Sequence, residues 1–180
     1  MAAKKKWFDL DEDDFNEVLR LSRMYRREAS RCETSKSYLA GCAIAAAALE
    51  ALLLAMIHMY GDEVEAAGLV AKTNGRPKQL LKWKLYEMIV VAANMNWLPL
   101  TAKRGKGIGT YAHQVRQIRN LLHPARYLQD HSPARITRRY LKSCMEIVDS
   151  ANDWLLAKVG PSLLKRMQEE ESLQPNGQKN

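Results

Sequence analysis

The hydrophobic positions of the chain recur mostly three and four residues apart, which is the spacing of α-helices. Between residues 15 and 25 they form one apolar stripe behind an acidic run. A first helix is therefore predicted to start after Asp9 or Asp11, where acidic side chains suit the helix dipole. Residues 33–35 should interrupt the helical pattern.

Residues 38–60 are apolar on nearly every side, and Gly61 is expected to end the helix that they form. The stretch is long enough to cross a bilayer, which takes about 20 apolar residues. Its many alanines add little insertion energy, however, and Glu50 places a carboxylate near its middle. The pattern favours the central helix of a soluble bundle over a membrane span.

The remaining elements are bounded by glycine, proline and polar turns. They are a short helix within 62–71, a turn at 74–77, a third long helix over about 78–96, a fourth over 110–123, a fifth over about 134–158, an interruption at Gly160-Pro161, and a last helical stretch ending near 171. The sequence thus predicts an all-α fold, an up-and-down bundle of four to five main helices, in a single domain over residues 1–171. Residues 172–180 are predicted to be a disordered tail.

Composition narrows the class of protein further. The chain has only 9 Gly and 6 Pro in 180 residues, fewer turn residues than a β-sandwich or barrel of this size needs. Its three cysteines are widely spaced and form no CxxC pair, which excludes zinc ribbons and disulfide scaffolds. The lysines at 4–6 are followed by acidic residues instead of an apolar run, so a secretory signal is not indicated and a cytoplasmic location is expected.

The positive charge is concentrated in one part of the chain. Residues 72–139 hold fourteen basic and two acidic side chains, a net charge of +12, whereas the rest of the chain carries −4 and the whole chain +8. Concentrated positive charge attracts polyanions and supplies phosphate contacts. The alternative is a solvated basic surface, or one that meets the acidic N-terminal helix of the same fold.

The predicted fourth helix carries a polar stripe opposite its apolar face. At 100° per residue, His113, Arg116, Arg119, Asn120 and His123 fall on one side. Arginine binds phosphate oxygens through a planar fork, and histidine exchanges protons near neutral pH. Such a set suits RNA, whose own 2′-hydroxyl can be the nucleophile without a metal. The alternative is the ordinary wet face of an amphipathic helix.

Other phosphate and metal motifs are weak or absent from the sequence. There is no HExxH, no Cys/His cluster and no P-loop. The loop at 101–109 contains Lys103, Arg104, Lys106 and three glycines before a predicted helix, which is a weak phosphate-binding signal. No metal or cofactor is therefore expected.

The segment Arg116-Gln-Ile-Arg119-Asn120-Leu-Leu-His123-Pro124, late in a predicted helical bundle, resembles the motif of the HEPN superfamily of small all-α proteins. The family signature is an Arg, four to six residues, then a His, with a polar residue often after the Arg. Arg116 has the required spacing to His123 but is followed by Gln117, whereas Arg119 is followed by Asn120 but lies only three residues from that His. Either arginine could be the motif residue.

The resemblance implies a homodimer in which two motifs form one cleft, and a metal-independent endoribonuclease of a toxin–antitoxin, CRISPR or phage-defence system. It implies Arg116 or Arg119 on the phosphate, Asn120 as orienter and His123 as the proton-transfer group. An antitoxin or nucleotidyltransferase partner fits the toxin type. The residues expected to bind the nucleic acid nearby are His113, Lys103, Arg104, Lys106 and Arg126. The alternative is a non-enzymatic helical module that binds RNA or a partner protein through its basic face.

Several other residues have structural interpretations. Glu50 is interpreted as a partner for Arg116 or Arg119, or as part of a structural ion pair, with the second favoured. His58 is expected to be structural. The four tryptophans are expected to anchor the core or an interface, and two cysteines to be small buried apolar residues: Trp7, Trp83, Trp97, Trp154, Cys42 and Cys144.

Overall fold

The protein is seen here in a computed structural model, which describes residues 6–97 and 136–173, with side chains through Lys158 in the second range. Within those residues it forms five α-helices, one short hairpin and one 3₁₀ turn. They are α1 (Glu12–Thr34), α2 (Tyr38–Met59), α3 (Gly61–Ala66), β1 (Lys72–Thr73), β2 (Arg76–Pro77), the 3₁₀ turn (Leu80–Lys82), α4 (Leu85–Asn94) and α5 (Arg138–Leu173). The prediction of an all-α bundle of four to five main helices is confirmed.

Helix α1 begins where its sequence predicts. The Asp11 carboxylate caps it by accepting a hydrogen bond of 2.8 Å from the backbone N–H of Asp14. Three acidic residues fill the first turn and Arg31 lies in the last, so both ends complement the helix dipole. Ser22 turns inward on the buried stripe and donates to the Leu19 carbonyl at 2.8 Å.

Helix α2 is the centre of the bundle and packs against both α1 and α5. It is the one helix of the described ranges that is long and apolar enough to cross a membrane, but 67% of its most apolar window is buried inside the protein. Gly41 lets α2 lie close to both α1 and α5, because a Cβ there would lie 2.8 Å from Leu141 Cδ2 on α5 and 2.9 Å from Cys32 Cβ on α1. The burial is that of a core helix.

The helix directions follow from contacts at each end. At the Tyr38 end of α2, Arg138 Nε donates to Glu33 at 2.7 Å. At the Met59 end, the ring of Tyr60 meets that of Trp154 at 5.4 Å. Helix α5 is therefore parallel to α2, and α1 is antiparallel to both.

The prediction of one long helix over about 78–96 is confirmed only from Leu85 to Asn94 and is wrong before that. Residues 80–82 form a 3₁₀ turn, and Trp83 and Lys84 have extended ψ angles of 145° and 149° before α4 starts. The physical reason is the Trp83 side chain, which stacks on Trp7 at 5.2 Å and donates from Nε1 to the Lys78 carbonyl at 3.2 Å. These tertiary contacts override the local helical pattern.

The connection after α2 also differs from the prediction. Gly61 begins α3 instead of only ending α2, and the helix predicted within 62–71 stops at Ala66. The turn predicted at 74–77 is the end of a hairpin, in which Asn74 and Gly75 have φ angles of 51° and 75°. Two consecutive positive φ angles in Asn-Gly match a type I′ hairpin turn.

Helix α5 is longer than predicted. The expected interruption at Gly160-Pro161 is wrong, because the helix continues to Leu173. A proline removes one backbone donor and crowds one carbonyl, a cost that a long helix can absorb without ending. The helix begins at Arg138, after the expected start near 134. The tail predicted at 172–180 lies, from 174 onward, outside the described residues.

Candidate nucleic-acid interface

The predicted fourth helix, the loop at 101–109 and all the predicted site residues lie outside the described part of the chain. These residues are Arg116, Arg119, Asn120 and His123 of the motif, and His113, Lys103, Arg104, Lys106 and Arg126 around it. Their assignments therefore stay predictions. What the structure does give is the surface on the N-terminal side of this segment and the attachment of both its flanks.

The two flanks of the segment lie at opposite ends of the bundle. On one side, the Trp97 ring contacts Tyr60 at 5.9 Å and Trp154 at 5.6 Å, at the Met59 end of α2. On the other side, Arg138 starts α5 beside Glu33, at the Tyr38 end. A helix of 22 residues such as α2 is about 33 Å long. The described chain thus leaves the core at one end and rejoins it at the other.

Five of the fourteen basic residues counted in the sequence lie between the hairpin and α4. Four of these are exposed, and together they are called the basic edge: Lys72, Arg76, Lys82 and Lys84. The fifth, Lys78, is half-buried and forms an ion pair with Glu87. The basic edge is the largest described part of the charge concentration that the sequence shows.

Glu87 is the one acidic side chain between residues 72 and 97, and it is already bound. It forms the Lys78 ion pair and accepts the Lys84 backbone N–H at 2.7 Å, which caps α4. Burial opposes its ionisation, but the hydrogen bonds from Lys78 and Lys84 outweigh burial and hold the pKa of Glu87 below its ordinary value. Glu87 is therefore charged at neutral pH and committed to holding the segment together.

The hairpin is fixed firmly at its base. The Lys78 N–H donates to the Ala71 carbonyl at 2.9 Å, which extends the pairing beyond the two strands. The Leu80 N–H donates to the Trp7 carbonyl at 2.8 Å, and the nearly parallel rings of Trp7 and Trp83 stack below it. A two-stranded hairpin is marginal alone, so these contacts give the basic edge a defined position.

Two large apolar side chains lie exposed beside these cations. Leu81, in the 3₁₀ turn, is 61% exposed, and Tyr86, in the first turn of α4, is 47% exposed. The sequence predicted a turn at 74–77 but not a hairpin, and it predicted a surface role for neither exposed residue. The Asn74-Gly75 pair was the available signal, since Asn-Gly between short segments is typical of a hairpin that can present its flanking residues.

The structural interpretations of several other residues are confirmed. His58 accepts the Leu10 N–H through Nδ1 at 3.1 Å and packs on Phe15 at 4.8 Å. Cys42 and Cys144 are buried. The four tryptophans take part in aromatic clusters, Trp7, Trp83 and Trp97 buried and Trp154 half-buried.

Glu50 is half-buried on α2, and the arginines proposed for it lie outside the described residues. Among the described side chains, no group of three or more His, Cys, Asp and Glu is arranged to hold a metal ion. The Trp7 indole N–H is buried and has no hydrogen-bond partner among them. Comparison with models of known protein families, with curated proteins and with solved structures finds no match.

Proposed function

We propose that this protein is a HEPN-like, cytoplasmic protein that acts on RNA as a metal-independent endoribonuclease of a toxin–antitoxin or phage-defence system. In this proposal two subunits pair so that the Arg116–His123 segments form one cleft. His123 transfers protons, Arg116 or Arg119 holds the phosphate, and Asn120 orients the reacting groups. An antitoxin or nucleotidyltransferase would be the natural partner.

The observation that carries the proposal is the placement of the chain on either side of the motif. Trp97 and Arg138 lie at opposite ends of α2, so an up-and-down bundle requires the intervening chain to cross the length of the core. The helix predicted at 110–123 would make that crossing, with its apolar face toward the bundle. This arrangement would leave the polar stripe on the outside, where a second subunit and RNA can meet it.

The charge distribution supports RNA as the substrate. The basic edge is exposed and precedes the motif in the chain, and Glu87, the one acidic residue between residues 72 and 97, is bound to Lys78. A phosphodiester backbone brings negative charge at every nucleotide, which a surface of this kind attracts.

The proposed reaction uses the RNA 2′-hydroxyl as the nucleophile. His123 would take its proton while the oxygen attacks the adjacent phosphorus, and the arginine would stabilise the charge on the phosphate oxygens. The bond to the 5′-oxygen would break as that oxygen gains a proton, leaving a 2′,3′-cyclic phosphate and a 5′-hydroxyl. DNA lacks the 2′-hydroxyl and would not react.

The test is cleavage of labelled single-stranded RNA and of DNA of the same sequence by purified protein in EDTA. The proposal expects RNA cleavage alone, and a loss of about 100-fold or more in rate for His123→Ala with little loss of affinity. Arg116→Ala and Arg119→Ala should separate the two motif alignments, since only the phosphate-holding arginine should strongly reduce turnover. His113→Ala should reduce the rate less than His123→Ala, because His113 belongs to the same stripe but lies outside the motif. Intact RNA across neutral pH, or full activity in His123→Ala, would contradict the enzymatic assignment.

A non-enzymatic RNA-binding module is the second candidate, and the basic edge favours it. Its exposed cations do not depend on the motif, and they can bind phosphates without any reaction. Wild-type protein that binds RNA tightly but leaves it intact would select this function over the ribonuclease.

A further inference from the structure

We propose that the basic edge, together with Leu81 and Tyr86, forms a binding surface for single-stranded RNA that is separate from the Arg116–His123 motif. The inference rests on the proposed function in taking RNA as the ligand. It adds a site, formed by the hairpin and the start of α4, where the strand would be held regardless of whether the motif cleaves it.

The cations of this surface are available to a ligand. Among the described ion pairs none involves Lys72, Arg76 or Lys82, whereas most arginines of α1 are matched with acidic side chains on α1 or α5. Of the acidic residues on either side in the chain, Glu87 is taken by Lys78 and by the α4 cap, and Glu65 of α3 lies seven positions before Lys72. Lys72, Arg76 and Lys82 are thus exposed cations outside the described ion pairs, where an incoming phosphate would replace water and salt ions.

The hairpin has no evident role in the core. All six residues from Lys72 to Pro77 are exposed, and a Cβ at Gly75 would meet nothing within 4 Å. Yet its base is held by the Lys78–Ala71 hydrogen bond and by Trp83. A protruding element that is fixed in place but buries nothing presents its side chains for binding. Cross-strand partners project from the same face of a hairpin. One face therefore carries Arg76 with Thr73, and the other carries Lys72 with Pro77.

Tyr86 and Leu81 favour a single-stranded nucleic acid over other polyanions. Exposed aromatic rings stack on unpaired bases, whereas a duplex hides its bases and an acidic peptide offers no flat partner. Proteins that bind single strands with little sequence preference typically combine cationic side chains, which contact the phosphates, with aromatic rings, which stack on the bases. A strand lying along Lys82 and Lys84 would bring its bases toward Tyr86.

The experiment measures binding of the full-length protein to a labelled single-stranded RNA whose riboses are 2′-O-methylated, so that no cleavage can interfere. The test variant is Lys72→Gln/Arg76→Gln/Lys82→Gln. The control variant, Arg31→Gln/Lys36→Asn/Lys142→Gln, removes the same charge from exposed positions at the Tyr38 end of the bundle. Circular dichroism verifies that both remain folded.

The test variant should bind more weakly, and the slope of log affinity against log salt should fall by about 2, since each lost phosphate contact on a single strand removes about 0.7. The control should change the slope by less than half as much. Tyr86→Ala should weaken single-strand binding about tenfold and leave duplex binding unchanged. Tyr86→Phe, which keeps the ring, should bind single strands as the wild-type protein does.

Each of the remaining outcomes refutes a particular part of the proposal. Equal losses in the two triple variants, with wild-type protein binding or cleaving RNA normally, would refute this site and leave the proposed function standing. No binding of the methylated strand by wild-type protein, together with no cleavage of ordinary RNA, would refute both. If a polyglutamate peptide or anionic vesicles bind the same surface as tightly as RNA does, the surface docks an acidic protein or a membrane and the RNA assignment is wrong.

Discussion

The ring of Phe8 lies directly against the backbone of Gly61. A Cβ at Gly61 would be 2.1 Å from Phe8 Cγ and 2.3–2.4 Å from the two Cδ atoms, and the ring is only 6% exposed. Trp7 meets the same ring edge-on at 4.9 Å. The segment before α1 is thus packed against the start of α3, and its position depends on the absence of a side chain at residue 61.

Gly61→Ala should therefore destabilise the protein. The Phe8 ring cannot stay in place beside a new methyl group, and overpacking of this kind costs about 1–3 kcal/mol. Urea denaturation followed by circular dichroism measures the change in the free energy of unfolding.

A double-mutant cycle provides the control. In a Phe8→Ala background the space beside residue 61 is open, so Gly61→Ala should cost much less there than in the wild-type chain. Equal costs in the two backgrounds would show that the helix start, and not the ring, makes Gly61 necessary.

Glu87 should contribute stability that depends on pH. Its pKa lies below the ordinary value of 4.5 in the folded protein, so its stabilising effect is fully present above about pH 4.5 and is lost as the pH falls through the folded pKa. Glu87→Gln should lower the free energy of unfolding by about 1.5–3 kcal/mol at pH 7, the usual scale for hydrogen bonds to a charged group. The difference from wild type should shrink at pH 3.

The matched control is Glu17→Gln. Glu17 also forms an ion pair, with Arg20 at 2.7 Å, but both side chains are about half exposed. Solvent screens such a pair, so this substitution should have a much smaller effect at pH 7. An equal effect of the two substitutions would argue against the Glu87 cap and ion pair as the cause.

The sequence predicted most accurately what local chemistry determines. The start of α1 follows from the acidic run and the cap at Asp11, and the central place of α2 follows from its apolar surface. Both signals lie within a few turns of chain, and tertiary contacts reinforce them instead of opposing them.

One error falls where a distant residue decides the backbone, and another where the helix continues against local propensity. The break before α4 depends on Trp83 finding Trp7, which lies 76 positions earlier in the chain. The continuation of α5 through Gly160-Pro161 runs against the two residues that most disfavour a helix. No pattern within either segment carries this information.

The candidate site also combines features that local sequence can predict with features that depend on packing. The motif at Arg116 and His123 rests on sequence spacing alone and stays a prediction. The basic edge was visible in sequence only as net charge. Its character as a surface depends on Glu87 turning toward Lys78 and on Tyr86 remaining exposed, and these are facts of packing.

His58 should stabilise the start of the chain through one hydrogen bond. The Leu10 N–H donates to His58 Nδ1 at 3.1 Å, and the Phe8 carbonyl lies 3.2 Å from the same nitrogen. His58→Ala should cost about 1–3 kcal/mol by leaving that N–H without a partner. His58→Asn, whose side-chain oxygen can occupy nearly the same position, should recover part of the loss in urea denaturation. If the two variants are equally unstable, packing on Phe15 is the dominant role.

The three cysteines should differ sharply in their reaction with iodoacetamide. Cys32 is half-buried, whereas Cys42 on α2 and Cys144 on α5 are buried and hydrogen-bonded to each other. That hydrogen bond and burial raise the pKa of Cys144 above its ordinary value of 9.0, so it should remain a protonated, unreactive thiol even at pH 9. Mass spectrometry of the folded protein should show rapid modification of one site, which disappears in Cys32→Ser, while all three react in guanidinium. Modification of Cys144 as fast as Cys32 at pH 9 would show that α5 separates readily from α2, contrary to the close packing at Gly41.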